Sequence, residues 1–378
     1  MMLLKNKKVA IIGAGPVGLT LARLLQQKGI DVTVYERDKD AETRISGGPL
    51  DLHKGSGQDA LAAAGLLQRY YEMAIPMGRT IVDEKGAVLF SRKPSPEDQY
   101  DNPEINRNDL KKILLQSLTP DSVIWDRKFT GLEVQGEKWL LHFENGVTVT
   151  ADLVIGANGG MSQARKYVTD AQIEYTGTLI LQGDVPHPET ACPEFYKMCD
   201  DDILMTAQNG NLLVANPKNG GLLSYSVTFR KPEMWDTENE PDFHKTEHII
   251  SFLLERFFDW DVSFKQLFES TSSFVIWPTR KISLEKPWKN NRPLPITLVG
   301  DAAHIMPPFA GQGVNIGLVD ALILSGNLTE GNFESIEDAI HDYEQKMFLY
   351  ATDAQLETSK NEKAMFSPEF SFQKRFSD

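Results

Sequence analysis

Two groups of residues in this 378-residue chain have the types and spacing to hold an anionic ligand. The first is Gly13-Ala14-Gly15-Pro16-Val17-Gly18, with Glu36 closing the next apolar run. In such a turn the first glycine reverses the chain, the second admits a pyrophosphate to the backbone, and the third lets a helix pack closely on a sheet. The helix start then offers free amides to the anion, and Pro16 has no N–H to lose there. An acid at position 36 can accept hydrogen bonds from ribose hydroxyls and disfavours a 2′-phosphate. The second group is Gly300-Asp301, followed by Pro307-Pro308-Phe309-Ala310-Gly311-Gln312-Gly313-Val314-Asn315. Here a carboxylate ends a buried strand and a second glycine-bearing helix start faces the same crevice. Arg107 stands at a helix start, where the macrodipole favours acids, so it is placed to face an anionic or electron-rich ligand. Gly47-Gly48, ahead of Pro49-Leu50-Asp51-Leu52, marks either close backbone approach to a ligand or a flexible surface loop.

The elements that must position these residues follow from hydrophobic periodicity. Residues 8–12 and 30–35 are aliphatic runs on either side of an amphipathic helix, which makes one βαβ unit with parallel strands. Helices are expected over 56–73, 108–117, 244–260 and 313–325. A hairpin spans 80–92 with its turn at Glu84-Lys85-Gly86, and short strands lie at 123–126, 129–134, 139–143 and 147–150. The run 151–165 reads as a buried strand, a glycine turn and a helix. Strands at 178–185, 204–207, 212–215 and 222–229 form a mostly antiparallel sheet with one layer of helix cover. Apolar spacing over 335–366 predicts a helix of about 45 Å, long enough to brace two domains. The fold class is therefore α/β, a Rossmann-like nucleotide-binding domain joined to a mostly antiparallel substrate domain, with a long C-terminal bracing helix.

Lys plus Arg total 39 against 53 Asp plus Glu, a net charge of −14, which argues against a nucleic-acid or anionic-membrane surface. The first strand begins at once, leaving no room for a signal peptide, and no apolar run has the length of a membrane span, so a cytoplasmic location is expected. Cys192 and Cys199 lack redox or metal spacing and read as reduced thiols, and Asn327-Leu328-Thr329 is a sequon without a secretory context. His244-Lys245-Thr246-Glu247-His248 matches an inverted zinc-protease pattern, but the residues after it read as ordinary core packing and no metal is expected.

The glycine turn with Glu36, the strand-turn Asn158-Gly159 with Arg165, and Gly300-Asp301 before 307–313 resemble the three fingerprints of the para-hydroxybenzoate-hydroxylase-type FAD monooxygenases. Within that superfamily the chain is most similar to the TetX-type tetracycline-inactivating monooxygenases, over residues 7–372. The matched stretches include Leu50-Asp51-Leu52-His53-Lys54-Gly55-Ser56-Gly57, 101–110 and 300–317. The resemblance implies an FAD-binding domain from 1–72, 101–171 and 276–327, a substrate domain from 73–100 and 172–275, and a bridging helix with an aromatic tail at 328–378. It implies FAD contacts at Gly13, Gly15, Pro16, Gly18, Glu36, Arg37, Arg44, Gly47, Asp51, Leu52, Arg107, Asp301, Pro308, Gly311, Gly313, Val314 and Asn315.

The same resemblance implies a substrate pocket at Gln182, Ile203, Met205, Val214, Ser224, Pro308, Phe309, Gly311, Asn361, Met365 and Phe372, with Gln182 a substrate anchor and Arg107 a flavin-side electrostatic group. Ser224, Ile203 and Val214 stand where TetX-type members carry His, Arg and Phe, which removes polar anchors. The implied activity is hydroxylation of a tetracycline-like phenol or enol by a monomer using O2 and NADPH or NADH as transient reductant, through a flavin C4a-hydroperoxide. The alternatives are a same-fold monooxygenase for another aromatic substrate and a flavin reductase or dehydrogenase.

Overall fold

The computed structural model describes residues 3–43, 47–231, 242–367 and 370–372. Its first core is a five-stranded parallel sheet in the order Ile296–Leu298, Leu153–Gly156, Lys8–Ile12, Asp31–Tyr35, Val123–Ile124. Val9 lies beside Leu153 on one side and Val32 on the other. Val9 to Ile12, Leu153 to Gly156 and Ile296 to Leu298 are buried throughout, as continuous aliphatic runs in a doubly covered sheet should be. The helix Pro16–Gln27 starts at Gly15 with Pro16 in its first turn, and Gly29 (φ +75°) ends it. A three-stranded antiparallel sheet, Phe129–Gln135, Lys138–Phe143 and Thr148–Ala151, feeds directly into the strand Leu153–Gly156.

The second core is a seven-stranded sheet in the order Ser273–Ile282, Ile173–Pro186, Leu222–Arg230, Asn211–Asn219, Ile203–Gln208, Arg79–Val82, Val88–Arg92. Its pairings are antiparallel except that between Ile203–Gln208 and Arg79–Val82. Period-two alternation divides its residues between two faces. Leu181, Val185, Leu204, Leu213, Ala215, Tyr225 and Val227 pack with Leu253, Phe257, Phe264 and Phe268 from the covering helices. Their neighbours in sequence, among them Gln182, Met205, Val214 and Ser224, point to the opposite face. The strand Ser273–Ile282 belongs to this sheet, so the antiparallel layer runs past residue 276.

Three expected helices differ. The helix expected over 56–73 is two, Gly57–Ala63 and Leu67–Met73, separated at Gly65, whose φ of +73° no helix accommodates. The helix expected over 244–260 is Thr246–Arg256, followed by a second helix Val262–Glu269 capped by the Asp261 side chain. The helix expected after Gly159 is only the 3-10 turn Arg165–Tyr167, whose Arg165 side chain bonds to carbonyls of the Asp301 turn. Two short helices, Pro188–Ala191 and Pro193–Cys199, were not expected; each begins on a proline.

The long helix Ile336–Met365 is capped by Ser335, which accepts from Asp338 N at 3.0 Å. Its Glu344 meets Arg292 in a paired arrangement of 2.6 and 2.8 Å, and Thr297 donates to the same carboxylate at 2.7 Å, which fastens the helix to the edge of the parallel sheet. No helix among the described residues is long and apolar enough to cross a membrane.

Candidate functional site

At the first glycine turn, Gly13 has φ +109°, and a Cβ there would stand 2.6 Å from Ala157 O. A Cβ on Gly18 would stand 2.2 Å from Gly13 O, so the third glycine brings helix and turn into contact, as its spacing implies. Gly15 differs: nothing lies within 4 Å of the place its Cβ would take. Glu36 is buried and folds back on the turn, Oε2 accepting from Ala14 N at 2.6 Å and Oε1 from Asp38 N at 3.0 Å. Arg37 is exposed, and Arg44 lies outside the described residues.

Asp301 opens the helix Asp301–His304 after Gly300, whose φ is +60°. A Cβ on Gly313 would lie 3.9 Å from Asp301 Oδ1, so the carboxylate and the second helix start are neighbours. Arg165 donates to Asp301 O at 3.0 Å and Ala302 O at 2.9 Å; burial brings its guanidinium down to about 10, against the opposing pull of Asp301. Asn315 is buried and ties the two halves of the crevice together. Its Oδ1 accepts from His53 N at 2.8 Å, and its Nδ2 donates to Asp51 O at 2.9 Å and Gly311 O at 3.3 Å. Leu52 is held between the Tyr70 hydroxyl and the Gln58 amide. Val314 packs on the nucleotide core, Gly311 sits at φ +66° beside open space, and Pro308 is exposed.

Arg107 is the first residue of the helix Arg107–Ser117, and Nε donates to Gly48 O at 2.8 Å. A Cβ on Gly47 would meet that nitrogen at 2.6 Å, so the close approach at Gly47-Gly48 is made by Arg107. Burial pushes the guanidinium below its usual range, while the Asp301 and Glu104 carboxylates oppose the shift. Glu104 was not singled out in the sequence. It pairs with Asp51 across two short strands, and burial, then the Asp51 charge, raise its carboxyl to about 8 despite Arg79 and Arg107. Burial pushes the Asp51 carboxyl up, but its contacts with His53, at 2.9 Å, and smaller hydrogen bonds bring it below the usual range.

Also unannounced is the set around Asp320. Fully buried, it accepts from Gly300 N at 2.6 Å, from His304 Nε2 at 2.7 Å and from the Tyr350 hydroxyl. The available signal was an acid inside the apolar run Leu318-Val319-Asp320-Ala321-Leu322.

Across the crevice, Met205, Val214, Phe309, Met365 and Phe372 gather in one apolar cluster with Ile81, Ala207, Leu212 and Phe366. Ile203 and Ser224 lie outside it. Gln182 is buried on the same face of the sheet. Ser224 belongs to a polar chain: its hydroxyl donates to Asp184 at 2.5 Å and accepts from Asn219 Nδ2 at 2.7 Å, and Asn219 Oδ1 accepts from Asn106, the cap of the Arg107 helix, at 2.6 Å. Asn361 Nδ2 donates to Phe309 O at 3.0 Å. Among the described residues no group of His, Cys, Asp or Glu is arranged to hold a metal ion, and His248 faces Asp242 at 3.8 Å.

Fold and site together define a protein that holds a dinucleotide on a parallel sheet and presents it to a second, antiparallel sheet. Residues 6–354 match the profile of a family described as an FAD binding domain, and the chain belongs to this family, the FAD-dependent monooxygenases of the aromatic-hydroxylase type. The residues fit FAD on the structure's own terms: Gly15, Gly48 and Gly311 leave open backbone where a Cβ would otherwise stand, beside two helix starts.

A 3-amino-4-hydroxybenzoate 2-monooxygenase of Streptomyces cremeus is 28% identical over 354 residues, covering 90% of this chain and 83% of that protein. The structure of HpxO of Klebsiella pneumoniae complexed with FAD and uric acid superposes with a TM-score of 0.80 at 20% identity, covering 100% of this chain and 92% of that one. The tetracycline destructase Tet(55) superposes with a TM-score of 0.76 at 24% identity, covering 97% and 92%. At these identities the structural likenesses establish the fold.

Proposed function

We propose that the chain uses NADPH or NADH and O2 to hydroxylate a tetracycline-like polycyclic phenol or enol held between Gln182 and the apolar cluster. The observation that carries this reading is the cluster itself. Met205 and Val214, on the sheet face that also carries Gln182, gather with Phe309, Met365 and Phe372 in one apolar cluster. An apolar cluster beside a polar group on the same face suits a fused-ring ligand with its oxygens toward one side. The fold shared with Tet(55) supports the same reading.

In this reading Gly15 and the two helix starts would receive the pyrophosphate, Glu36 would lie toward the ribose, and Asp301 would take the ribityl chain. FAD, when bound there, would supply the redox chemistry that links a nicotinamide reductant to O2 and to transfer of one oxygen atom. The chain orients the ring to be attacked, and the apolar cluster keeps water from it. Arg107 supplies positive charge beside the cofactor. Arg107→Ala is expected to slow substrate-dependent NADPH oxidation at least about tenfold, comparable to losing one charge-assisted contact at a reacting centre. Unchanged FAD affinity together with an unchanged oxygenation rate would remove Arg107 from this role.

Ser224 favours a second reading. Its hydroxyl is already committed to Asp184 and Asn219, so it is a poor replacement for an imidazole that would anchor a polyhydroxylated ligand. A smaller aromatic substrate is the alternative. Mass spectrometry after incubation with NADPH and air decides between them, with tetracycline, 3-amino-4-hydroxybenzoate and uric acid as probes. The first reading expects tetracycline to gain one oxygen. Oxygen gain confined to a single-ring or bicyclic probe supports the alternative, and NADPH oxidation that yields only peroxide with all three sinks both.

A further inference from the structure

The C-terminal half of the helix Ile336–Met365 touches both halves of the site through side chains on one face. Thr358 is buried, and its hydroxyl donates to Pro307 O at 2.7 Å. One turn on, Asn361 donates to Phe309 O, so two consecutive turns hold the loop that precedes Gly311. Glu362, also buried, faces the antiparallel sheet and accepts from the Thr176 hydroxyl at 2.9 Å and the Thr178 hydroxyl at 2.7 Å. Those threonines flank Gly177 (φ +90°), where the strand Ile173–Pro186 slips register against Ser273–Ile282. The Thr279 hydroxyl closes the bulge from the far strand, 2.6 Å from Thr176 and donating to Thr178 O at 2.9 Å. A bulge re-aims the side chains that follow it, and Gln182 follows on the same face as Thr178.

We propose that Thr358 and Glu362 are positioning residues that set the gap between the Pro307–Gly311 loop and the Gln182 face of the sheet, and thereby the fraction of reducing equivalents that ends in oxygenated product. This rests on the monooxygenase reading above. Neither side chain belongs to the apolar cluster. Each acts through another group, Thr358 through the loop bearing Phe309 and Glu362 through the strand bearing Gln182. Removing either bond leaves buried polar groups without their partner, so the segment they held opens locally.

The test uses Thr358→Val, Glu362→Leu and the conservative Glu362→Gln in the full chain. In the cofactor-free protein, amide exchange is expected to quicken about tenfold over 309–315 in Thr358→Val and over 174–182 in Glu362→Leu, with 8–35 unchanged, as for local rather than global opening. With FAD, NADPH and tetracycline, Glu362→Leu is expected to raise the peroxide share of NADPH oxidation about threefold while FAD affinity stays within about twofold, because the substrate side alone has moved. Glu362→Gln, which still accepts from a threonine, should recover most of the coupling. Exchange that rises equally everywhere, or coupling that stays at the wild-type level when the local segments have loosened, overturns the proposal. A wild-type protein that adds no oxygen to tetracycline defeats the tetracycline reading instead, and the exchange pattern still decides whether the two side chains hold their segments.

Discussion

Replacing Gly15 with aspartate is expected to leave the cofactor-free fold intact and to weaken FAD binding by about a hundredfold or more, roughly 2.7 kcal/mol. Gly15 caps the helix Pro16–Gln27 with φ −73° and ψ 172°, an extended conformation open to any residue. Nothing stands within 4 Å of its Cβ position, and aspartate is itself a favoured N-cap, so thermal stability should change by less than about 1 kcal/mol. The added carboxylate, however, occupies the mouth of free amides that a pyrophosphate requires and repels it. Gly13→Ala should do the reverse of this separation. At φ +109° and 2.6 Å from Ala157 O, the new methyl strains the turn and destabilises the whole protein by about 2 kcal/mol or more. Calorimetry of the apoproteins and FAD titration by fluorescence check both. A Gly15→Asp protein that holds FAD as tightly as wild type would mean that the pyrophosphate does not sit at this turn.

Asp320→Ala is expected to destabilise the protein by roughly 3–5 kcal/mol, the range for removing one partner from a buried charged pair. The loss strands three donors at once, Gly300 N, His304 Nε2 and the Tyr350 hydroxyl, and the other imidazole nitrogen of His304 has no partner among the described residues. The pair also makes a prediction about pH. Burial pushes the His304 imidazole down, but the Asp320 charge and hydrogen bond, with Asp301 behind them, outweigh it, so its value in the fold is raised. A histidine raised in the fold gives stability that is complete below its unfolded value of about 6.5 and is lost as pH climbs through the folded one. Chemical denaturation across that window should show stability falling with rising pH. Asp320→Asn should flatten this slope, and an unchanged slope would assign it to other groups. Because Asp320 fixes Gly300, the residue before Asp301, FAD retention should fall with it.

Legibility in the sequence followed how local the cause was. The parallel core announced itself because Val9 to Ile12 is apolar without interruption, Ile30, Val32 and Val34 follow at strand spacing, and the glycines between them are spaced for one turn. The antiparallel strands were legible for a different reason, since the alternation of Leu223, Tyr225, Val227 and Phe229 with Ser224, Ser226 and Thr228 records a sheet with two unlike faces. Gly65, by contrast, lies in a segment whose apolar pattern continues through it, and only its positive φ reveals the break. The bonds of Arg165 to the carbonyls of Asp301 and Ala302 could not be read because those partners lie more than a hundred positions away.

In the site, residue types that work by backbone shape, such as Gly13, Gly18 and Gly313, are where their spacing put them. Side chains whose state depends on distant partners were harder to read: Asn361 bonds to the Phe309 carbonyl, and Glu104 gains its character from Asp51 on another strand. Gly47 leaves room for the Arg107 side chain, whose Nε donates to Gly48 O.

The parallel sheet is finished by Ile296–Leu298, and the amide of Asn315 is bonded to His53, 262 positions earlier. During synthesis the strand Leu153–Gly156 must therefore wait, unpaired along one edge, until most of the polypeptide has left the ribosome. Loading of the prosthetic group is consequently expected only after residue 315 has emerged, and a nascent chain stalled short of this point should offer chaperones an exposed edge and no yellow colour.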